Sequence, residues 1–247
     1  MEKLINSRTL LRKKLKNREK LFGSWVSFDN PSISEIFSRS DFDFLVIDME
    51  HSTISLEQSQ RIIAASQSFG VPCIPRPVSH SNDWIKPLLD FGADGLLIQM
   101  VNNKKELESL KDLVKYPPLG KRSFGVNRAQ TYGFDFENYI KSWNDSSIFM
   151  VQIESIEAVE NIEELLQLEN LDGVMIGPYD ISGSLGVPGQ LEHPLVIDAS
   201  KKVIEACQKF KKSCGTQIAD VSKESLDGLF EQGYTFAILS SDLFILW

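Results

Sequence analysis

Short apolar runs alternate along this chain with segments in which apolar residues recur every three or four positions. Runs of that kind bounded by turn residues predict strands, and the three-to-four spacing predicts helices packed against them. The first predicted strand covers residues 23–28, and Pro31 opens a helix that runs through Ser40. Residues 44–49 form the second, stopping at Glu50 and His51, before a helix over residues 56–69 that Gly70 closes. A short third strand, residues 73–77, precedes a helix carrying Trp84, Leu88 and Leu89. The fourth is residues 95–101, with a helix over residues 106–115, and residues 116–132 read as a long βα loop punctuated by Gly and Pro. The fifth, residues 148–154, is joined by a helix over residues 156–168 to a sixth that begins at Asp172. Residues 214–219 and 236–241 are the last two, preceded by helices over residues 196–210 and 223–233.

Eight strands alternating with helices, and no break in composition, predict an α/β fold: a (β/α)₈ TIM barrel forming one domain over residues 1–247. A basic helical segment over residues 7–20 lies ahead of the first strand, within an N-terminal extension of residues 1–20. The sequence stops at Trp247, so the eighth helix is expected to be missing or truncated, its place taken by the N-terminal helix or by a neighbouring subunit. A doubly wound open sheet is the alternative, but no G-x-G-x-x-G follows the first strand.

Charged residues make up 24% of the chain and hydrophobic ones 42%, an ordinary globular balance. The net charge of -8 argues against a nucleic-acid partner, which leaves a basic footprint. No stretch has the length of a membrane span, so no membrane association is expected. Cys73, Cys207 and Cys214 lack metal-type spacing and read as free thiols, mostly in the core, of a cytoplasmic protein.

In a barrel, chemistry gathers at the C-terminal ends of the strands. Here those ends supply Asp48, Glu50, His51, Arg76, Gln152, Glu154 and Asp180. Glu154 and Asp180 close consecutive parallel strands, so two carboxylates converge beside the Gly177-Pro178 turn, an arrangement suited to a hard divalent cation. The alternative for each acid is a helix cap. His51 follows a buried strand with Asp48 three residues before it, the pairing wanted in a general base, while His80 and His193 read as surface residues. Arg76 stands between Pro75 and Pro77, on a stiff extended backbone. It either binds a carboxylate or oxyanion, or makes a buried ion pair with a barrel acid. Gln152 shares the face of Glu154 under strand alternation. No lysine ends a strand in this cluster, which weakens Schiff-base chemistry and favours metal-assisted enolate chemistry.

Residues 44–52 (FLVIDMEHS), 75–77 (PRP), 116–122 (YPPLGKR), 152–154 (QIE) and 177–186 (GPYDISGSLG) resemble, in order and spacing, the HpcH/HpaI aldolase family. The resemblance runs from about Gly23 to Phe244. It implies a barrel of the phosphoenolpyruvate/pyruvate type and a class II, divalent-metal-dependent aldolase. Such enzymes reversibly cleave a 4-hydroxy-2-oxo acid, of the 2-keto-3-deoxy sugar acid or dihydroxy-heptenedioate type, to pyruvate and an aldehyde. Carried across, it implies Glu154 and Asp180 as ligands of Mg²⁺ or Mn²⁺, with Co²⁺ and Ni²⁺ as further candidates. It implies His51 with Asp48 as acid/base and Arg76 as the enolate stabiliser. Gln152 falls beside metal and substrate, the amides of Tyr179 and Asp180 hold the pyruvate carboxylate, and Trp25 walls the pocket. Asp90 matches a catalytic acid near a subunit boundary, and the implied assembly is a homo-oligomer, a hexamer built as a trimer of dimers. Three features depart from the family pattern: Ser123 after Arg122, Gln99 in place of a proline, and the absent final helix. The first two bear on substrate preference and the third on the hexamer. Competing readings are a CoA-thioester lyase of the citramalyl or malyl type, which needs a basic surface at the barrel mouth, and a non-catalytic barrel scaffold.

Overall fold

The computed structural model describes residues 2–247, with side chains from Asn6 onward. Seven parallel strands form one sheet in the order β2-β1-β7-β6-β5-β4-β3. They are β1 (Leu21–Val26), β2 (Phe44–Ile47), β3 (Gly95–Ile98), β4 (Ile148–Ile153), β5 (Gly173–Ile176), β6 (Ser213–Ile218) and β7 (Phe236–Ser241). The predicted third strand is not a regular one. Pro75 and Pro77 remove two donors that would face β3, so the backbone bonds to that side run through acceptors, Asp94 N to Cys73 O at 2.9 Å and Leu97 N to Pro75 O at 3.1 Å, while Cys73 N donates to Asp94 Oδ2 at 2.9 Å. Toward β2 the ladder is intact: Ile74 N to Leu45 O at 2.9 Å, Arg76 N to Ile47 O at 2.8 Å, and Met49 N to Arg76 O at 3.1 Å. These bonds draw the two edge strands together and close the ring around a segment that carries Arg76.

Alternation along each strand divides the core in two. Leu45, Ile47, Leu96, Ile98, Phe149 and Val151 face the surrounding helices, while Phe44, Val46, Leu97, Met150, Met175 and Phe236 fill the barrel interior. Gly23 and Gly215 admit the two interior rings, because a Cβ on either would stand 2.5 Å from Phe44 or 2.2 Å from Phe236. The helices are α1 (Glu2–Lys16), α2 (Pro31–Phe37), α3 (Leu56–Ser68), α4 (Asn82–Asp90), α5 (Lys104–Val114), α6 (Phe136–Ser146), α7 (Ile156–Glu160), α8 (Ile162–Leu166), α9 (Pro178–Ser184), α10 (Pro194–Lys209), α11 (Lys223–Glu231) and α12 (Asp242–Leu246). The helix predicted over residues 156–168 is broken into α7 and α8 at Asn161, whose side-chain amide donates to the carbonyl of Asn102 at 3.0 Å. Nothing in the sequence reading anticipated α6, whose Tyr139 and Trp143 stack one turn apart with ring centroids 5.2 Å apart. The predicted loop at residues 116–132 follows helix α5, not a strand, and so lies at the N-terminal end of the barrel. No described helix is long and apolar enough to cross a membrane.

The N-terminal helix does not stand in for a missing eighth helix; it plugs the barrel floor. Leu11 and Leu15 join the interior cluster, and Ser213 Oγ donates to Leu15 O at 2.7 Å. Arg12 Nε bonds Asp172 Oδ1 at 2.8 Å with both side chains buried, and Asp172 Oδ2 accepts from Phe149 N at 2.9 Å. After β7 the chain forms the short α12. Asp242 ties it down by accepting from Ser27 N and Phe28 N, each at 2.9 Å.

Breaking the Arg12–Asp172 pair strands a desolvated carboxylate, so Arg12→Ala is expected to cost about 3–5 kcal/mol, read as a lower urea midpoint. Pairing it with Asp172→Asn should recover part of that loss. A single-variant cost below about 1 kcal/mol would show that α1 does not secure the floor.

Candidate active site

At the C-terminal mouth the predicted residues meet as a chain of hydrogen bonds built from neighbouring strands. Arg76 is buried. Its Nη2 lies 2.8 Å from Asp48 Oδ1, its Nε 3.3 Å from Glu50 Oε2, and its Nη1 donates to Gln152 Oε1 at 3.2 Å. The guanidinium also lies over the Trp25 ring, its Cζ 4.4 Å from the ring centroid. Arginine offers donors alone, so Gln152 must present its carbonyl to Arg76. Its amide is thereby turned to Glu154, donating to Oε1 at 2.8 Å. Glu154 Oε2 accepts from Met100 N at 3.1 Å. Gly177 leaves the space that Glu154 occupies, because a Cβ there would lie 2.7 Å from Glu154 Cγ.

Two like charges press on this arrangement. Burial, with Asp180 adding to it, pushes the Glu154 carboxyl up to about 7, against the pull of the Met100 amide and Arg76. Burial likewise raises Glu50, offset by Arg76 and His51 and reinforced by Asp48 and Asp180. Asp180 is exposed in the first turn of α9, and its carboxylate has no partner among the described residues. Two acids that converge without a neutralising partner, each with free lone pairs, form a donor set that fits a hard divalent cation. Among the described residues no three His, Cys, Asp or Glu side chains are grouped so as to hold a metal ion.

The Asp48–His51 pairing expected from spacing is not the contact made. Asp48 Oδ1 is occupied by Arg76 and by the backbone amides of Glu50 and His51, both at 3.1 Å. Asp48 thus fixes the turn that carries His51, while Glu50 Oε2 lies 3.6 Å from His51 Nε2. The imidazole is largely exposed at the mouth. Of the two readings of Arg76, the structure shows the buried ion pair, with a guanidinium edge still lining a cavity. His80 is not a free surface residue, since its Nε2 contacts the carbonyl of Gln99 at 2.7 Å. Asp90 is not brought to this site within one chain. It ends α4 at the opposite end of the barrel, where Arg122 binds it at 2.9 Å. Tyr179 is exposed on α9 beside Asp180.

A cavity of about 160 Å³ adjoins Asp48, His51 and Arg76 and is completed by Trp25, Ser27, Gln217, Ser241, Leu243 and Phe244. Sequence reading found Trp25 but not the rest of this wall. Gln217 alternates with the inward-facing Gly215, so β6 carried a signal for it, whereas α12 carried none.

Residues 21–247 match the HpcH/HpaI aldolase/citrate lyase family. The 2-keto-3-deoxy-L-rhamnonate aldolase of Escherichia coli (strain K12) is 37% identical over 203 residues, covering 80% of this chain and 76% of that protein. A family protein from Burkholderia cenocepacia superposes with a TM-score of 0.90 at 26% identity, covering 96% of this chain and 95% of that one. An HpcH/HpaI aldolase from Desulfitobacterium hafniense gives 0.86 at 28% identity, covering 95% and 91%.

Folded Glu154 keeps its proton up to about 7, whereas an unperturbed glutamate releases it near 4.5. The folded state then binds more protons between those values, so with chelator present stability should fall as pH rises from 4.5 to about 7. The loss is of order 3 kcal/mol. Urea unfolding in EDTA from pH 4 to 8 checks this against Glu154→Gln, which should flatten the profile; superimposable profiles would contradict it.

Proposed function

Because the chain belongs to the HpcH/HpaI aldolase/citrate lyase family, and is therefore an aldolase and a carbon–carbon lyase, we propose that it reversibly cleaves a 2-keto-3-deoxy sugar acid to pyruvate and an aldehyde with a divalent cation. The observation that carries this reading is the buried Arg76–Gln152–Glu154 relay ending beside the unpartnered carboxylate of Asp180. Glu154 and Asp180 would hold the cation, Mg²⁺ or Mn²⁺, which when bound supplies Lewis acidity to the 2-oxo group of the substrate.

The chain's own residues account for the rest. The backbone amides of Tyr179 and Asp180 lie in the first turn of α9 and lack intrahelical acceptors, so they suit a carboxylate. In cleavage His51 takes the proton of the C4 hydroxyl as the C3–C4 bond breaks. The aldehyde leaves, and the bonding pair passes to C3 as the enolate of pyruvate, which a proton at C3 then converts to pyruvate. Arg76, held by Asp48, Glu50 and Gln152, faces the developing enolate charge without having to reorganise. Glu50 orients His51 from 3.6 Å, and Asp48 fixes its backbone. The basic residues that a CoA thioester would need, Lys121, Arg122 and Arg128, lie on the segment at the opposite end of the barrel. A homo-oligomer belongs to the same reading, supported by apolar side chains left in water such as Phe134 and Trp247. Sedimentation equilibrium checks it as a mass above 27.9 kDa, and a monomer at all concentrations would refute it.

The enolate half-reaction can be tested without knowing the aldehyde. Pyruvate in D₂O should exchange its methyl protons in the presence of Mg²⁺ or Mn²⁺ and stop in EDTA, followed by NMR. Arg76→Ala should lower exchange by about 10²–10³-fold, the usual cost of losing one oxyanion donor. For His51→Ala, metal affinity by calorimetry should be retained while cleavage falls about 10²-fold or more. Exchange indifferent to metal and to Arg76 would overturn the assignment.

A further inference from the structure

We propose that Gln99 is a positioning residue of the active site: it clamps the end of β3 to the proline segment that carries Arg76, and so sets the span between Arg76 and Glu154 and aims the Met100 amide at Glu154. The proposal rests on the reading of Glu154 as a cation ligand.

The backbone secures this span least at the edge between β3 and the proline segment. Asp94 N and Leu97 N reach Cys73 O and Pro75 O, but among the described residues no main-chain donor reaches Pro77 O, the next carbonyl in line. The side chain of Gln99 supplies that rung instead, its Nε2 donating to Pro77 O at 2.8 Å. The main-chain carbonyl of Gln99 contacts His80 Nε2 at 2.7 Å, and because a carbonyl can only accept, the imidazole carries its proton on Nε2. Gln99 is thus tied to the segment twice, once through its side chain and once through its backbone. Arg76, between those ties and β2, is held on the other side by Ile47 O and Met49 N.

The rung has a visible cost. Pro77 O can only accept, so the amide must turn Nε2 toward it and Oε1 away. Gln99 is 4% exposed, and its Oε1 is buried without a hydrogen-bond partner among the described residues. A buried oxygen left without a donor is destabilising, and an apolar side chain of the same length would avoid it. The donor on the other arm is what the position requires.

The next residue shows what the clamp holds. Met100 has φ 51, a left-handed backbone that is strained for any residue with a side chain. Strain of this kind persists only where the surroundings hold it, and the residue before it is the doubly tied Gln99. In that conformation the Met100 N–H reaches Glu154 Oε2 at 3.1 Å. Glu154 is then gripped from two directions, since Oε1 accepts from Gln152, which in turn accepts from Arg76. A single glutamine side chain bridges Arg76 to Glu154, so the bridge survives only while the distance between them is kept. Gln99 keeps it.

Two variants test this. Gln99→Met keeps the length but removes the donor and the orphaned oxygen, and His80→Ala releases the carbonyl while leaving Gln99 in place. Mn²⁺ affinity is read by calorimetry, and exchange of the Met100 amide by residue-resolved hydrogen exchange on the metal-free protein. In Gln99→Met, affinity should fall about tenfold or more, the usual effect of loosening the groups that orient a metal-binding carboxylate, and the Met100 amide should lose its protection. His80→Ala should move both readouts in the same direction, and it decides alone if Gln99→Met does not fold. A residue serving the fold alone would lower the urea midpoint and leave the Mn²⁺ affinity of the folded protein unchanged. That result, or a Met100 amide as protected as in the wild type, would overturn the proposal while leaving the cation site intact. A wild type that binds no Mn²⁺ overturns the reading of Glu154 and the proposal together.

Discussion

A guanidinium with little access to water is the constraint around which the mouth of this barrel is arranged. Removing Arg76 from solvent is costly unless its donors are filled, and the partners that fill them come from both sides of the closing segment. Asp48 and Glu50 follow β2, Gln152 belongs to β4, and the Trp25 ring beneath comes from β1. The two prolines that hold Arg76 extended also deprive the closing segment of donors toward β3. Ring closure and charge satisfaction are thus one requirement: the segment with the interrupted ladder bears a buried side chain with three polar partners. Because Gln152 is oriented by Arg76 and in turn orients Glu154, the arginine also sets the acid opposite Asp180.

The floor repeats the theme with opposite emphasis. Arg12 meets Asp172, and Arg8 spans Ser146, Asp94 and the Trp143 ring. Lys115 is fully buried there, its Nζ on Ser147 Oγ at 2.7 Å and Ser147 O at 2.9 Å, and burial helped by Arg12 pulls it down to about 7. Cations outnumber acids at the floor, whereas acids crowd the mouth. The barrel interior between them is apolar, with Phe44, Leu97, Met150, Met175 and Phe236, so the two charged ends are separated by a low-dielectric layer. The floor's charges therefore pair within the fold, while the mouth carries an excess of acid.

Much of this was legible because barrel strands are buried on both faces and read as apolar runs, and because strand ends fall on one rim. Glu154, Asp180 and Arg76 could be grouped from their places at strand ends, and Gln152 from its alternation with Glu154. The Asp48–His51 spacing misled because local proximity does not decide who satisfies a carboxylate. Arg76, 28 residues further on, and two backbone amides took the oxygen first. The proline-bounded strand and the place of residues 116–132 depended on ring closure, which no local window contains. The contact of α12 was missed for the same reason, since β7 joins β1 only after the sheet has curled round, whereas Gln217, two residues after the inward-facing Gly215, was legible in β6.

The mouth has two halves with different tolerance for change. On one side Asp48, Glu50, Arg76, Gln152 and Glu154 form a coupled set of buried charges, in which altering one member leaves another unpaired at a cost of several kcal/mol. On the other, Ser27, Gln217, Ser241, Leu243 and Phe244 are uncharged, and Gln217, Leu243 and Phe244 are exposed, so substitutions there cost stability little. The ion-paired half of the mouth is therefore tied to the fold, while the uncharged half presents side chains free to vary. The anchoring of α12 through Asp242, not through its own apolar face, is what permits this: the wall keeps its position whatever side chains it presents.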